Sequence, residues 1–197
     1  MASPLVVDEF VVTHTLRVSF YARGGGGSAG VAEGAQLNVA QASLQPFVRL
    51  DPFVAADGVD GADDALYTLM MTDPDAPSVA DPKFSEFVHW VVVNAKRTDF
   101  VGSGDALVSY HGPSPGPGSG LHRYCIVAYV QPGRIVDDEL RVGPFSGFPP
   151  RRSFKQRAFA AKHGLVPVAS ISLVFEHDAV QPYMAAKIQG LAPPDDA

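Results

Sequence analysis

Asp73 and Asp75 lie two residues apart in Thr72-Asp73-Pro74-Asp75-Ala76-Pro77-Ser78, a segment stiffened by Pro74 and Pro77. Proline fixes φ and removes an amide donor, so both carboxylates are carried on a rigid turn. Such a pair either caps nearby amides or presents a preset negative group at the rim of a cavity. His89 stands in Glu86-Phe87-Val88-His89-Trp90-Val91, where alternation places it on the face of Phe87 and Val91. By itself it reads as a hydrogen-bonded core histidine. Farther on, Leu121-His122-Arg123-Tyr124-Cys125 sends His122 and Tyr124 to one face and Arg123 to the other. The preceding stretch, Gly112-Pro113-Ser114-Pro115-Gly116-Pro117-Gly118-Ser119-Gly120, joins rigid prolines to glycines that let backbone amides approach an oxyanion. Together these carboxylates, imidazoles, phenol and open amides could complete a polar pocket.

Other patterns carry less chemistry. Gly25-Gly26-Gly27-Ser28-Ala29-Gly30 has the letters of a dinucleotide fingerprint, with Asp51 about twenty residues on. That fingerprint needs a helix to open directly after it, and Val31 to Leu37 shows no amphipathic period, so a hairpin loop is expected. No G-x-S-x-G elbow occurs, and Cys125, the single cysteine, falls in mid-strand where an inert thiol is expected. One cysteine also excludes an internal disulfide framework and a multi-thiolate zinc site, and the histidines lack metal-ligand spacing. No catalytic residue, metal ligand or cofactor is assigned.

These groups need strands to hold them. Leu16, Val18 and Phe20 alternate with Arg17, Ser19 and Tyr21, the period of a half-buried strand. The runs 66–71, 87–94, 123–130 and 166–175 are rich in β-branched and aromatic residues and bounded by Asp, Pro and Gly. Two segments read as helices. Ser153-Phe154-Lys155-Gln156 has the form of a capping box ahead of Arg157 to His163, with Gly164 as a left-handed stop. The other starts at Asp178 and ends at Gly190, with Pro182 tolerated in its first turn. Residues 51–65 read as an acidic loop and 193–197 as a short tail, leaving residues 1–192 as one domain. Strands in succession and few, late helices predict a mainly β fold, an antiparallel sandwich with peripheral helices including a C-terminal one.

Composition narrows the partners. Among 197 residues, 46% are hydrophobic and 18% charged, with 15 basic against 21 acidic residues and a net charge of −6. The broad basic surface that would grip nucleic acid is not supplied. No apolar run approaches a membrane span, and residues 1–12 lack a basic start ahead of an apolar stretch, so a cytoplasmic protein with at most peripheral membrane contact is expected.

The chain closely resembles the phosphatidylethanolamine-binding protein family, which includes the Raf kinase inhibitor proteins. The resemblance runs through Tyr67-Thr68-Leu69, Thr72-Asp73-Pro74-Asp75-Ala76-Pro77-Ser78, Asp81-Pro82-Lys83-Phe84, Glu86, His89, Val92-Val93-Asn94, Gly120-Leu121-His122-Arg123-Tyr124, Gln131, Ser153-Phe154 and Pro167-Val168-Ala169. It covers about residues 1–190. It implies an antiparallel β-sandwich with a small surface cavity for phosphate and phospholipid headgroups. That cavity would be built from Asp73, Pro77, His89, Pro115, His122 and Tyr124, with Asp75 and Gly120 supporting the turn. It further implies a signalling regulator that binds protein partners such as kinases. Tyr183 and Met184 fall where animal relatives place an aromatic near the cavity. Phe87 stands where the plant flowering-time subgroup has Tyr or His, so no flowering role is expected. The alternative to non-enzymatic binding is hydrolase-like or protease-inhibitor activity using the Asp/His pocket.

Overall fold

The alternating segment ahead of Gly24 forms strand β1 (His14–Tyr21), with Leu16, Val18 and Phe20 buried and Arg17 and Tyr21 exposed. It belongs to a computed structural model that describes residues 11–21, 28–52 and 64–177. Antiparallel to it lie β2 (Ser28–Gly30) and β4 (Phe47–Pro52), making a three-stranded sheet in the order β2-β1-β4. The other sheet runs β3-β9-β8-β5-β6-β7, with β3 (Gln36–Leu37), β5 (Tyr67–Asp73), β6 (Phe87–Ala95), β7 (Asp105–Val108), β8 (His122–Val130) and β9 (Val166–Phe175). Its pairs are antiparallel except the two-residue contact of β3 with β9, which is parallel. The antiparallel sandwich expected from the strand pattern is therefore present.

The larger sheet is covered on both faces, so its central strands read as continuous apolar runs rather than alternating ones. On one face Leu69, Met71, Trp90 and Ile126 pack against Val18, Phe20 and Leu50 of the smaller sheet. On the other, Met70, Val91, Val127 and Tyr129 pack with Phe159 and Leu165. Phe159 comes from helix α2 (Gln156–Lys162), while a single turn, α1 (Phe100–Ser103), drives Phe100 into the inter-sheet core. None of the described helices is long and apolar enough to cross a membrane.

Two local expectations are corrected. The N-terminus of α2 is not held by a Ser153 capping box. Ser153 adopts φ 57°, and the Gln156 amide instead donates to the Glu86 carboxylate at 2.7 Å, a cap reaching across from the residue before β6. Gly164 does close the helix, in the left-handed conformation at φ 62°. His89 does not share the face of Val91. Met71 pairs with Trp90 while Thr72 pairs with Val88, so β6 carries one extra residue at His89 and its alternation flips there. The glycine run 22–27, the acidic loop 53–63, the helix expected over 178–190 and the 193–197 tail lie outside the described residues.

Candidate functional site

The end of the larger sheet where β5 finishes and β6 and β8 begin surrounds a cavity of about 210 Å3. Pockets for drug-sized ligands run to roughly 300–1,000 Å3, so this smaller space fits a small group. Asp73 reaches it from the end of β5, Ala76 and Pro77 from the rigid turn, and His122 and Tyr124 from the same face of β8. The bulge in β6 delivers His89 beside Phe87, their ring centroids 4.9 Å apart. Phe84, Ser114, Gly116, Phe148 and Arg152 complete the wall.

Three of the candidate site residues stand outside the lining: Asp75 and Gly120, expected to support the turn, and Pro115, expected in the wall. Asp75 faces away: its carboxylate accepts a two-pronged pair from Arg123, at 2.9 Å from Nε and 2.7 Å from Nη2, and a third bond from the Arg123 amide. Burial raises its pKa, but the Arg123 bonds outweigh that and hold it below the usual carboxylate range. Its own amide donates to Asp73 Oδ1 at 2.7 Å, so Asp75 sets the turn rather than the pocket. Gly120 also lies off the lining, at φ 80°, a conformation suited to glycine that turns the chain into β8. Pro115 is displaced in favour of its neighbours Ser114 and Gly116, and its carbonyl accepts from His177 Nδ1 at 3.0 Å.

A hydrogen-bonded row runs along the cavity. Asp73 Oδ2 and His122 Nδ1 lie 2.8 Å apart, and both side chains are almost wholly buried. The Ser119 hydroxyl donates to the Gly116 carbonyl at 2.8 Å and lies 2.9 Å from His122 Nε2, so both ring nitrogens of His122 have partners. Burial pushes the Asp73 pKa up, and the His122 bond opposes it. Tyr124 is also buried, which drives its phenol well above its ordinary value, the Asp73 charge adding to the effect.

His89 behaves differently. Its Nδ1 sits 2.8 Å from the His111 carbonyl, which can only accept, so Nδ1 carries the proton. Burial, then the neighbouring His111 and Arg151, hold the His89 pKa well below 6.5 and keep the ring neutral. Its Nε2 is thus an acceptor, not the donor a cationic imidazole would be. Among the described residues every fully buried side-chain N or O has a partner, so Nε2, which has none, is open to the cavity. Behind it His111 stacks at 5.6 Å, and burial and Arg151 lower its pKa to about 4. Arg151 is itself 2% exposed and donates to the carbonyls of Val88, His89 and Ser109. Burial lowers its pKa only to about 10, so it stays cationic.

Phe148 and Arg152 are wall residues that sequence reasoning does not mark. The double arginine after Pro149-Pro150 is the available signal, and only the fold shows that Arg151 turns inward and Arg152 to the mouth. Among the described residues no group of His, Cys, Asp and Glu could hold a metal ion.

The family profile described as "Phosphatidylethanolamine-binding protein" matches residues 27–169. "Protein MOTHER of FT and TFL1 homolog 2" of Oryza sativa subsp. japonica is 37% identical over 169 residues, covering 84% of this chain and 83% of the relative. The fold is similar to that of carboxypeptidase Y inhibitor, solved in complex with its cognate proteinase, at a TM-score of 0.69 and 30% identity over 86% of each chain. It is also similar to the phosphatidylethanolamine-binding protein from Plasmodium vivax, at a TM-score of 0.63 and 21% identity, covering 85% of this chain and 88% of that one. A profile matched over well over half the chain and a relative this similar lead to one conclusion: the chain belongs to the phosphatidylethanolamine-binding protein family.

Proposed function

We propose that this protein is a non-enzymatic binding and regulatory protein whose cavity takes a phosphoryl-bearing ligand of headgroup size, either free phosphate or a phosphatidylethanolamine-type headgroup. The observation that carries the reading is the open Nε2 of a neutral His89 on a small cavity whose other buried polar side chains already have partners. An acceptor in that position matches the proton of a P–OH or of an ethanolamine ammonium. Burial of the ligand in a low-dielectric cleft strengthens each such bond. Family membership supports binding and regulation over catalysis. Through the same cavity the protein engages acidic or phosphorylated segments of partners such as kinases, with small phosphoryl ligands competing. It acts in the cytoplasm, and any membrane contact is peripheral.

Titration watched by phosphorus NMR of phosphorylethanolamine tests this reading. Saturable shift and broadening with the wild type, lost in His89→Ala and His122→Ala variants that keep the wild-type amide spectrum elsewhere, is the expected result. Unchanged binding in both variants would overturn it.

Hydrolysis draws no support from the Asp73, His122 and Ser119 row, because the Ser119 hydroxyl is shared between the Gly116 carbonyl at 2.8 Å and His122 Nε2 at 2.9 Å rather than held by the base alone. Protease inhibition is a second reading, favoured by the 30% identity to carboxypeptidase Y inhibitor over 86% of both chains. Undiminished carboxypeptidase Y activity in the presence of excess protein would remove it.

A further inference from the structure

The two adjacent arginines have opposite fates. Arg151 is buried behind His89, with both terminal nitrogens donating to backbone carbonyls. Arg152 is exposed at the mouth of the cavity, its guanidinium carbon 4.1 Å from the centre of the Phe84 ring, which also lines the cavity. That stacking is built in by the backbone. The Ser153 amide donates to the Phe84 carbonyl at 3.0 Å, and Phe154 and Glu86 exchange amide bonds at 2.9 and 3.2 Å, so the strip 152–154 is locked beside 84–86. A guanidinium face-on to a ring keeps its edge donors free for another partner. No carboxylate among the described residues pairs with Arg152, whereas Lys83, the other cation near Phe84, is committed to Asp81 at 2.9 Å.

The rest of the cavity offers an anion little positive charge. His122 is matched by Asp73 and Ser119, and His89 is neutral. The chain as a whole carries −6, so the long-range field does not help. We infer that Arg152, held against Phe84 at the mouth, is the specificity-determining residue that receives the phosphoryl oxygens of the ligand. The phosphoryl group then sits at the mouth, with the ligand's proton-bearing end directed toward His89. The assignment rests on the phosphoryl-binding function proposed above and names the side chain that reads the charge.

Calorimetric titration with inorganic phosphate and with phosphorylethanolamine, each at low and high salt, tests it on the wild type, Arg152→Ala, Arg152→Lys and Phe84→Leu. Arg152→Ala is expected to weaken both ligands by roughly ten- to a hundredfold, the range of one charge-assisted bond, and to flatten the salt dependence. Arg152→Lys retains the salt dependence but not full affinity, because an ammonium lacks the planar fork. Phe84→Leu weakens binding severalfold by releasing the guanidinium. Arg152 is exposed, so its variants fold, and a lost salt dependence is not a signature of a structural role. Wild-type affinity in Arg152→Ala, or weakening for phosphorylethanolamine alone, would overturn the inference while leaving the cavity function standing. Absence of binding by the wild type itself would overturn both. Co-sedimentation with phosphatidylethanolamine vesicles in a phosphatidylcholine background separates the sources. Loss of sedimentation in Arg152→Ala places the lipid headgroup under this arginine, and wild-type failure to sediment despite calorimetric binding confines the site to free phosphoryl ligands.

Discussion

Two polar clusters cap opposite ends of the same three strands, β5, β6 and β8, and they are built on opposite plans. At the far end Gln131 accepts from Thr68 Oγ1 at 2.9 Å and from the Asn94 amide at 2.7 Å, and donates to Asn94 Oδ1 and the Gly133 carbonyl. The Asn94 side chain in turn donates to Asp105 and the Ile135 carbonyl and accepts from the Ile135 amide. Every position is used, and the cluster ties the loop after β8 to the sheet. At the cavity end, Asp73, His122 and Ser119 are equally saturated, but His89 Nε2 opens inward and Arg152 opens outward. A saturated buried network fixes structure, and one that keeps a free acceptor and a free cation has capacity left for a ligand.

Removing the hub of the far cluster is the strongest way to break this contrast. Gln131→Ala leaves several buried groups unpaired and is expected to cost about 4 kcal/mol, lowering Tm by roughly 8–16 °C, with phosphorylethanolamine affinity unchanged. Thermal melts beside a binding curve check it, and a loss of affinity in a protein that remains folded would merge the two clusters into one.

Acid acts on the cavity end. An unfolded chain protonates His89 and His111 near pH 6.5, while the folded protein keeps His111 neutral down to about 4 and His89 neutral well below 6.5. The unfolded state therefore binds more protons as pH falls through this window, and stability drops on acidification. The His111 share approaches roughly 3 kcal/mol at pH 4. Denaturant melts from pH 7.5 to 4 should show His111→Phe losing less stability than the wild type; parallel pH curves would contradict the neutral-ring assignment.

Asp73→Asn sharpens the comparison at smaller cost. It keeps the shape but not the charge opposite His122, so a loss of about 2 kcal/mol is expected together with at least a severalfold change in phosphoryl affinity. Smaller again, Glu86→Gln weakens the cap on α2 by about 1 kcal/mol, read from chemical denaturation, and leaves the far cluster untouched.

Much of this was legible in the sequence because one signal, alternation, survives wherever a strand has one open face. β1 is the clear case, and the longer strands β5, β6, β8 and β9 stand out as β-branched runs between turn residues. Alternation alone puts His89 on the face of Val91, because a one-residue bulge leaves no mark on a pattern of period two. The cap of α2 leaves no local signal, because its acceptor, Glu86, is 70 residues away from the amide it serves. Asp73, His122 and Tyr124 could be grouped from strand ends and the family resemblance. Arg152 could not, because its place depends on hydrogen bonds between two distant segments.

The account turns on the cavity end having capacity that the far end lacks, and nitrogen-resolved NMR of the histidine rings and side-chain amides with added phosphorylethanolamine tests that most directly. The account predicts a neutral His89 protonated at Nδ1 whose Nε2 signal moves saturably with ligand, while the side-chain amides of Asn94 and Gln131 stay still. A stationary His89 Nε2 at millimolar ligand, or equal shifts at both ends of the sheet, would contradict it.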